Sequence, residues 1–423
     1  MSSRRRTTKD LRRANRATVL RRLYFDGAAS RLDLARRTSL SPATIGNVIS
    51  ELLADGIVLE TGQLDSEGGR PAALVEVNPD NAAVVGVDVG ETGAAIELFD
   101  LTLRKLAAVE KPLSLRRESA EPLVALVAEG VEEVLRKAGM STEHVLGIGI
   151  GVPGVVVHDG EEYVHAPSLG WEEVPLLQLL RAALPAPVLL DNGAKTMGRA
   201  EAWFGAGRGA SNVIVALIGT GVGAAVVVDG EVQRGATSSA GEWGHTTVVI
   251  DGRECRCGAS GCLEAYVGAS GILASYRLAR RVRAAAQLDE QRALERLLEK
   301  VERGEKAASE VLRETARYLG VGIANLVNLL NPDKIVLGGW AGLMLGERLL
   351  PLVREEVARH ALRPAFDRVE IELCQLGPDA VALGAATLAI ELFLAAGGAR
   401  PARARRDNTP ARSFRQKGEM PTG

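Results

Sequence analysis

The sequence predicts an α/β protein in which a small, mainly helical N-terminal unit precedes a larger body. In the body, short apolar runs end in glycine turns and alternate with helical stretches, the pattern of an α/β fold. Charge also separates the two parts: residues 1–60 contain twelve Lys/Arg and six Asp/Glu, so they carry +6 and the rest of the chain carries −8. A basic front end on an acidic body favours a nucleic-acid-binding module joined to a different kind of domain.

The composition limits the class of protein. The chain has 423 residues, enough for two or three domains, with a net charge of −2 and 46% hydrophobic residues. No apolar run reaches the length of a membrane span, so we expect no membrane contact. Because the sequence shows no signal peptide, we predict a cytoplasmic protein whose four cysteines are reduced.

Three helices are predicted in the N-terminal unit. Apolar residues recur at helical spacing over residues 15–25, and a short second helix follows Ser30 and ends at Arg37. Ser41 caps a third helix, with Pro42 at its first position. The apolar stripe of this third helix consists of Ile45, Val48, Ile49 and Leu52. Two short helices joined by a tight turn predict a helix-turn-helix whose second helix enters the major groove of DNA.

A hairpin follows the third helix and completes a winged helix-turn-helix domain, which we place at residues 14–78. Its strands are predicted at residues 57–60 and 73–77, and Arg70 lies in the tip between them, within reach of a phosphate or the minor groove. The predicted DNA contacts are Ser41, Ala43, Thr44, Asn47, Ser50 and Arg70. A helical interaction domain with a solvated basic face is the alternative, but the order of helix, wing and basic arm favours DNA.

Both ends of the chain are predicted to be disordered. Residues 1–13 form a basic arm that would add salt-dependent affinity for phosphate without reading sequence. Residues 396–423 are rich in Pro, Arg and Gly and form a tail. From Gly397 onward this tail has seven basic and two acidic residues, so it could touch DNA loosely.

The body is predicted to span residues 82–395, after a linker at residues 78–81. Apolar strands that end in glycine turns lie at residues 83–90, 147–154, 213–223 and 334–339. The first and third of these look like copies of one element, a strand, a glycine turn and a second strand. Such turns leave backbone N–H groups free to hold phosphate, although each alone is equally consistent with a tight structural turn.

A predicted metal site lies in the second half of the body. Three of the four cysteines, Cys255, Cys257 and Cys262, fall within eight positions, and His245 lies ten residues before the first of them. Three thiolates and one imidazole are the ligands of a closed tetrahedral zinc site, so we predict a structural Zn²⁺ that holds the loop. A chance cluster of buried thiols is the alternative, and a disulfide is disfavoured in a reducing compartment.

Two carboxylates, Glu242 and Glu264, flank the predicted zinc ligands and are well placed to accept hydrogen bonds from vicinal hydroxyls. The pattern Gly-Glu-Trp-Gly-His followed by Cys-x-Cys-Gly-x-x-Gly-Cys-Leu-Glu resembles the ROK family of sugar kinases and sugar-responsive repressors. The resemblance implies that Asn192, Glu242, His245 and Glu264 bind sugar. It also implies a two-lobed, actin-like (ribonuclease H-like) body, with lobe 1 at about 82–195 plus 380–395 and lobe 2 at about 196–379. The N-terminal unit resembles the winged helix of the repressors, which the stand-alone kinases lack.

The chain departs from the kinase pattern at two positions. Where family kinases have Asp-x-Gly-Gly-Thr, this chain has Glu91 at the second glycine, and a carboxylate there disfavours phosphate. Where they have Glu-Asn-Asp-Ala-Asn, Gly193 takes the place of the Asp that removes the proton from the sugar hydroxyl. Asp191 could replace that base only through a shift in register. We therefore predict that the protein has no catalytic residue and is not an enzyme.

The sequence thus predicts a sugar-responsive transcriptional regulator, more often a repressor in this family, that binds operator DNA and a carbohydrate effector. Because operators are commonly read by symmetric dimers, we expect at least a homodimer. Two alternatives remain: an ATP-dependent sugar kinase with an appended DNA-binding domain, and a constitutive DNA-binding protein whose body only mediates dimerisation.

Overall fold

The N-terminal unit of the computed structural model is a winged helix. Its elements are α1 (Thr8–Asp26), β1 (Ala29–Ser30), α2 (Arg31–Thr38), α3 (Pro42–Ala54), β2 (Val58–Leu64) and β3 (Ala72–Val77). β3 lies between β1 and β2 in an antiparallel sheet. The structure describes residues 7–64, 72–113, 119–158, 162–281 and 289–401. Arg4 to Arg6 of the predicted arm and the predicted wing-tip Arg70 lie outside these ranges.

Helix α1 begins well before the apolar repeat from which it was predicted. Thr7 and Asp10 form a capping box: the Thr7 hydroxyl accepts from the Asp10 N–H at 3.2 Å, and the Asp10 carboxylate accepts from the Thr7 N–H at 2.9 Å. Arg12 then forms an ion pair with Glu51 of α3 at 2.7 Å. The predicted disorder of the arm is therefore wrong for residues 7–13. These two helical turns are stabilised by polar and charged side chains. A prediction based on the spacing of apolar residues therefore misses them.

The structure confirms the predicted third helix. The Ser41 hydroxyl caps α3 by accepting from the Thr44 N–H at 3.1 Å, and Pro42 is the first helical residue. The predicted apolar stripe is buried in the core of the winged helix. This core continues into the body, because Phe25 of α1 packs edge-on against Trp203, with ring centroids 5.0 Å apart.

The first half of the body is built on a five-stranded sheet with the order β11-β7-β4-β5-β6. Its elements are β4 (Ala83–Val89), β5 (Gly93–Asp100), β6 (Lys105–Pro112), α4 (Glu121–Ala138), β7 (Val145–Val152), α5 (Leu176–Ala183), β11 (Val188–Asn192) and α6 (Gly193–Phe204), with a small antiparallel sheet of β8 (Val155–Val157), β9 (Tyr163–Ala166) and β10 (Trp171–Val174). β4, β7 and β11 run parallel, whereas β5 and β6 return as antiparallel strands.

The second half repeats this arrangement in a sheet with the order β14-β13-β12-β15-β16. Its elements are β12 (Asn212–Ile218), β13 (Val222–Val228), β14 (Glu231–Val232), α7 (Glu264–Val267), α8 (Ala269–Arg280), α9 (Glu290–Glu302), α10 (Lys306–Leu330), β15 (Lys334–Gly338), α11 (Trp340–His360), α12 (Arg363–Phe366), β16 (Glu370–Leu373) and α13 (Ala380–Ala395). β12 pairs with an antiparallel partner on one side and a parallel strand on the other, as β4 does. The turns after β4 and β12 are therefore structurally equivalent.

Helices α6 and α13 connect the two halves. α6 follows the first sheet but packs on β12 and β13 of the second, whereas α13 follows the second sheet but packs on β4 and β7 of the first. Gly86 and Gly149 allow this close approach, because a Cβ at either position would overlap a backbone carbonyl of α13. Contrary to the expectation from the sequence, the stretch Gly377–Ala395 has the length and composition of a membrane span, but 67% of its apolar 18-residue window is buried, as expected of a core helix.

The end of α13 is followed by an ordered segment. Gly397 and Gly398 are buried, with φ of 66° and 88°, and they lie against α1 and Ile57. Arg400 donates hydrogen bonds to the carbonyl oxygens of Glu143 and Asn81 at 2.7 and 3.0 Å. The predicted disorder of the tail is therefore wrong for residues 396–401, because their order depends on a surface made by the N-terminal unit. Residues 402–423 lie outside the described ranges.

Candidate functional site

The four predicted metal ligands come together in the second half of the body. The ligand atoms of His245, Cys255, Cys257 and Cys262 all lie within 4.8 Å of one another. The sulfurs of Cys257 and Cys262 are 3.7 Å apart, as are the Cys255 sulfur and the His245 Nδ1. A tetrahedron with Zn–S bonds of about 2.3 Å places sulfurs about 3.8 Å apart, so the geometry fits zinc.

Glycines shape the loop that carries these ligands. Gly258 and Gly261 have φ of 90° and 77°, and a Cβ on Gly261 would overlap the Val249 carbonyl. Only glycine adopts this conformation without strain in so little space. The loop folds back at these two positions, which brings Cys262 next to Cys257.

The two carboxylates predicted to bind sugar differ in how many hydrogen bonds they already accept from the protein. Glu264 is buried at the start of α7, where Oε2 accepts from the Val222 N–H at 2.9 Å and Oε1 lies 3.3 Å from a guanidinium nitrogen of Arg256. Glu242 is half-buried, and among the described residues nothing donates to its carboxylate. Burial raises the pKa of Glu242, while the Lys195 charge opposes that shift. Glu242 is therefore free to accept from a ligand hydroxyl.

Asn192 serves first as a structural residue. Its side-chain oxygen caps α6 by accepting from the N–H groups of Ala194 and Lys195, at 2.9 and 3.2 Å. Its amide nitrogen donates to the Gly154 carbonyl at 2.7 Å. One amide hydrogen is left for a ligand, and the sugar contact of Asn192 stays a prediction. Gly193 follows as the first residue of α6, so the position expected of a catalytic base carries no side chain.

Asp191 is held in an ion pair. Its two carboxylate oxygens accept from the two terminal guanidinium nitrogens of Arg234 at 2.9 and 2.6 Å, and one of them also accepts from the Asn192 N–H. The carboxylate is buried, and β11 pairs in continuous parallel register with β7 through this residue. Both carboxylate oxygens of Asp191 are therefore engaged by Arg234, which makes this carboxylate poorly suited to act as a base.

Two functional candidates escaped the sequence interpretation, Lys195 and Arg256. Lys195 is 2% exposed, and its ammonium donates to the Ser238 carbonyl. Burial lowers its pKa, which the negative charges of Asp191 and Glu242 oppose. Lys195 replaces the last asparagine of the Glu-Asn-Asp-Ala-Asn pattern, and this substitution could have marked it as a functional candidate in the sequence. Nothing in the sequence marks Arg256, which lies between two predicted zinc ligands.

The two equivalent glycine turns lie on either side of Arg256, which contacts Glu91 in the first turn and the Thr220 carbonyl in the second, and we call the space between the turns the cleft. Gly90 donates its N–H to the Gly93 carbonyl at 2.8 Å, and Gly219 donates to the Gly221 carbonyl at 2.9 Å. Asp88 is the second-to-last residue of β4, beside the first turn, and its carboxylate has no hydrogen bond or ion pair within the described part of the chain. Burial raises the pKa of Asp88 to about 7.

The face of α3 that was predicted to contact DNA is open to solvent. Ser41, Ala43, Asn47 and Ser50 are exposed and Thr44 is half-buried. The hydroxyls of Ser41 and Thr44 lie 2.9 Å apart. α3 thus presents a row of small and polar side chains on the side opposite its buried stripe, as a groove-binding helix requires.

Comparison with known proteins agrees with this arrangement. The chain is 30% identical over 394 residues to a xylose repressor of Caldicellulosiruptor bescii, covering 91% of this chain and 97% of that protein. It is 33% identical over 308 residues to a glucokinase of Halalkalibacterium halodurans, covering 71% of this chain and 92% of the relative.

A solved structure shares the fold of nearly the whole chain. This is a ROK family transcriptional regulator, a homologue of the E. coli MLC protein, with a TM-score of 0.75 and 24% identity over 92% of this chain and 98% of its own. The family model for ROK matches residues 84–392. The chain therefore belongs to the ROK family.

Proposed function

We propose that this protein is a sugar-responsive transcriptional repressor, in which the winged helix binds operator DNA and the body binds a carbohydrate. The observation that carries the proposal is the pairing of an exposed recognition helix, α3, with a sugar cleft that has glycine at the position of the catalytic base. The likeness to a repressor along 97% of that relative's length supports it.

In the proposed cleft, Glu242, Glu264, His245 and Asn192 hold the sugar hydroxyls. Glu242 has a carboxylate open to a ligand, and Glu264 contributes whatever capacity its bonds to Val222 and Arg256 leave. His245 and the three cysteines hold Zn²⁺, which fixes the loop between Glu242 and Glu264 and so presets their spacing. These four residues would fill every position of a tetrahedral Zn²⁺, which would give the ion a structural role.

Sugar binding changes DNA affinity in this proposal because the two halves of the body move relative to each other. α6 begins beside the cleft, packs against α13, and α13 contacts α1 of the winged helix. A ligand that prefers one arrangement of the halves therefore shifts the position of α3, and the coupling must be reciprocal. We further propose that the protein works in the cytoplasm as a homodimer, since a twofold-symmetric operator requires two recognition helices.

The test is operator release. A duplex selected from random sequence with the purified protein would be labelled and bound, and pentoses, hexoses and amino sugars would be titrated, beginning with D-xylose because of the xylose repressor relative. One sugar should release the duplex, and ADP formation from ATP should stay at background with every sugar. Sugar-dependent ADP formation would instead favour the kinase alternative suggested by the glucokinase relative. Binding to DNA with no response to any sugar would favour the constitutive alternative.

A further inference from the structure

An ion pair crosses the cleft between the two halves of the body. Arg256 extends from the segment that carries the predicted metal ligands, residues 245–262, which we call the metal loop. One terminal nitrogen of its guanidinium donates to both carboxylate oxygens of Glu91, at 2.7 and 2.8 Å. Glu91 belongs to the glycine turn between β4 and β5, so the two residues are on opposite sides of the cleft. The side chains are 35% and 22% exposed, which partly shields the pair from water.

The other terminal nitrogen of Arg256 points to the second half. It lies 3.4 Å from the Thr220 carbonyl oxygen, in the glycine turn between β12 and β13, and 3.3 Å from a carboxylate oxygen of Glu264. One planar guanidinium thus joins the first glycine turn, the second glycine turn and a proposed sugar ligand. Arginine suits this position because its donors form a rigid fork.

The space between the two turns is where phosphate would have to lie. Glycine turns hold phosphate through backbone N–H groups that point into the gap between them. Here the gap contains the Glu91 carboxylate and the Arg256 guanidinium, and Glu264 and Glu290 add further negative charge around Glu91. The guanidinium neutralises part of that charge, but both of its terminal nitrogens already donate to protein oxygens.

We infer that the Glu91–Arg256 pair sets the ligand specificity of the cleft: it fills the phosphate space with the chain's own carboxylate and joins the two halves in place of a nucleotide. The cleft then takes a sugar alone. Because Arg256 also contacts Glu264, the pair preorganises the metal loop for the sugar, and this last point rests on the proposed function. Glu91 and Arg256 act as positioning residues.

Hydrogen exchange tests the bridge without any ligand. Arg256→Gln should speed amide exchange in the first turn, residues 89–93, and Glu91→Gln should speed exchange in the second turn and the metal loop. The double variant should match Arg256→Gln in the first turn and Glu91→Gln in the second turn and the metal loop, because removing either partner already breaks the pair. Arg280→Gln serves as the control, since Arg280 pairs with Glu305 on the surface of the second half and should change neither turn.

The location of the effect decides the outcome. Exchange that rises only in the loop carrying the substitution overturns the bridge. Because Arg256 lies between metal ligands, zinc content is measured for each variant, and Glu91→Gln, which is far from the cysteines in sequence, keeps the test valid if Arg256→Gln loses metal. Mg·ATP titrated into the wild-type protein should give no binding heat, and a dissociation constant below about 1 mM overturns the claim that the phosphate space is filled.

A sugar titration tests the second part of the inference. With D-xylose, or with whichever sugar of the panel the wild-type protein binds, both single variants should bind about two- to fivefold more weakly, and Arg280→Gln should bind normally. Unchanged affinity in the variants overturns the preorganising role. If the wild-type protein binds no sugar, the proposed function fails, whereas the exchange experiment still decides whether the pair joins the two halves.

Discussion

The Nε atom of Arg16 donates a hydrogen bond to the carbonyl oxygen of Gly397 at 2.9 Å, across 381 positions of sequence. The same guanidinium bonds Asp55 at 2.6 Å and Glu51 at 3.3 Å, both at the C-terminal end of α3. One side chain of α1 therefore connects the segment after α13 with the helix proposed to read DNA. Under the proposed function, this contact links movement of the body to α3.

Gly398→Val should expel the segment after α13. A Cβ at Gly398 would lie 2.5 Å from the Cδ1 of Ile57, and φ of 88° disfavours any β-branched residue. Gly304 provides the control, since its φ is 79° and no atom lies within 4 Å of the place that a Cβ would take there. Overpacking should lower the free energy of unfolding in urea by about 1–3 kcal/mol more for Gly398→Val than for Gly304→Val. Equal losses would mean that the segment contributes only backbone strain.

Cys257→Ser should abolish zinc binding. Removing one of four ligands leaves an incomplete tetrahedron, and hydroxyl is a poor replacement for thiolate. Metal analysis should find one zinc per chain in the wild-type protein and none in the variant, which should also respond less to sugar while its winged helix stays folded. Cys374→Ser is the matched control, because Cys374 lies outside the cluster and bonds Glu201. Equal zinc in both variants would contradict the assignment.

Gly193→Asp should fold normally and remain inactive as a kinase. A Cβ at residue 193 would meet its nearest neighbours at 3.7 and 3.8 Å, which is ordinary contact. The added carboxylate supplies a base, but the Glu91–Arg256 pair still fills the gap between the glycine turns. ADP release in a coupled assay should therefore stay at background with every sugar tested. Turnover in this single variant would show that nucleotide reaches the cleft despite the pair.

Asn47→Ala should relax the choice of operator. Asn47 is exposed on the side of α3 away from the core, and an asparagine side chain can bond an adenine edge through two hydrogen bonds. Loss of such a contact should reduce discrimination between the selected operator and single-base variants by about 1–3 kcal/mol at one position. Thr18→Ala, an exposed change on α1, should leave discrimination intact. Competition binding at fixed salt measures both.

Asp88 should make the protein less stable as the pH rises from about 4 to 7. Burial raises the pKa of this carboxyl to about 7, so across that range the folded state binds a proton that the unfolded state has lost. Stability falls wherever the folded state binds more protons, and this contribution levels off above pH 7. Urea unfolding between pH 5 and 8 should show a flatter profile for Asp88→Asn than for the wild-type protein. Identical slopes would contradict the shifted pKa.

The sequence by itself determined the features whose parts are close together in the chain. The apolar stripe of α3 and its Ser41 cap depend on a few turns of helix, and both are present as predicted. The metal ligands are brought together by short loops, so their spacing already limits the geometry. The strands before the glycine turns could likewise be predicted from the sequence, because a buried strand is a continuous apolar run.

Only the tertiary structure decided which charges pair. Glu91 was predicted to act as a lone carboxylate against phosphate, but it meets Arg256, 165 positions away. Asp191, considered as a substitute base, is instead bound by Arg234, and Lys195 is buried although lysine usually lies at the surface. The physical reason is that the spacing of apolar residues indicates which face of one helix or strand is buried. The sequence does not indicate whether a charged side chain is hydrated by water or paired with a residue far away in the chain. That partner is set by how the two halves and the winged helix pack together.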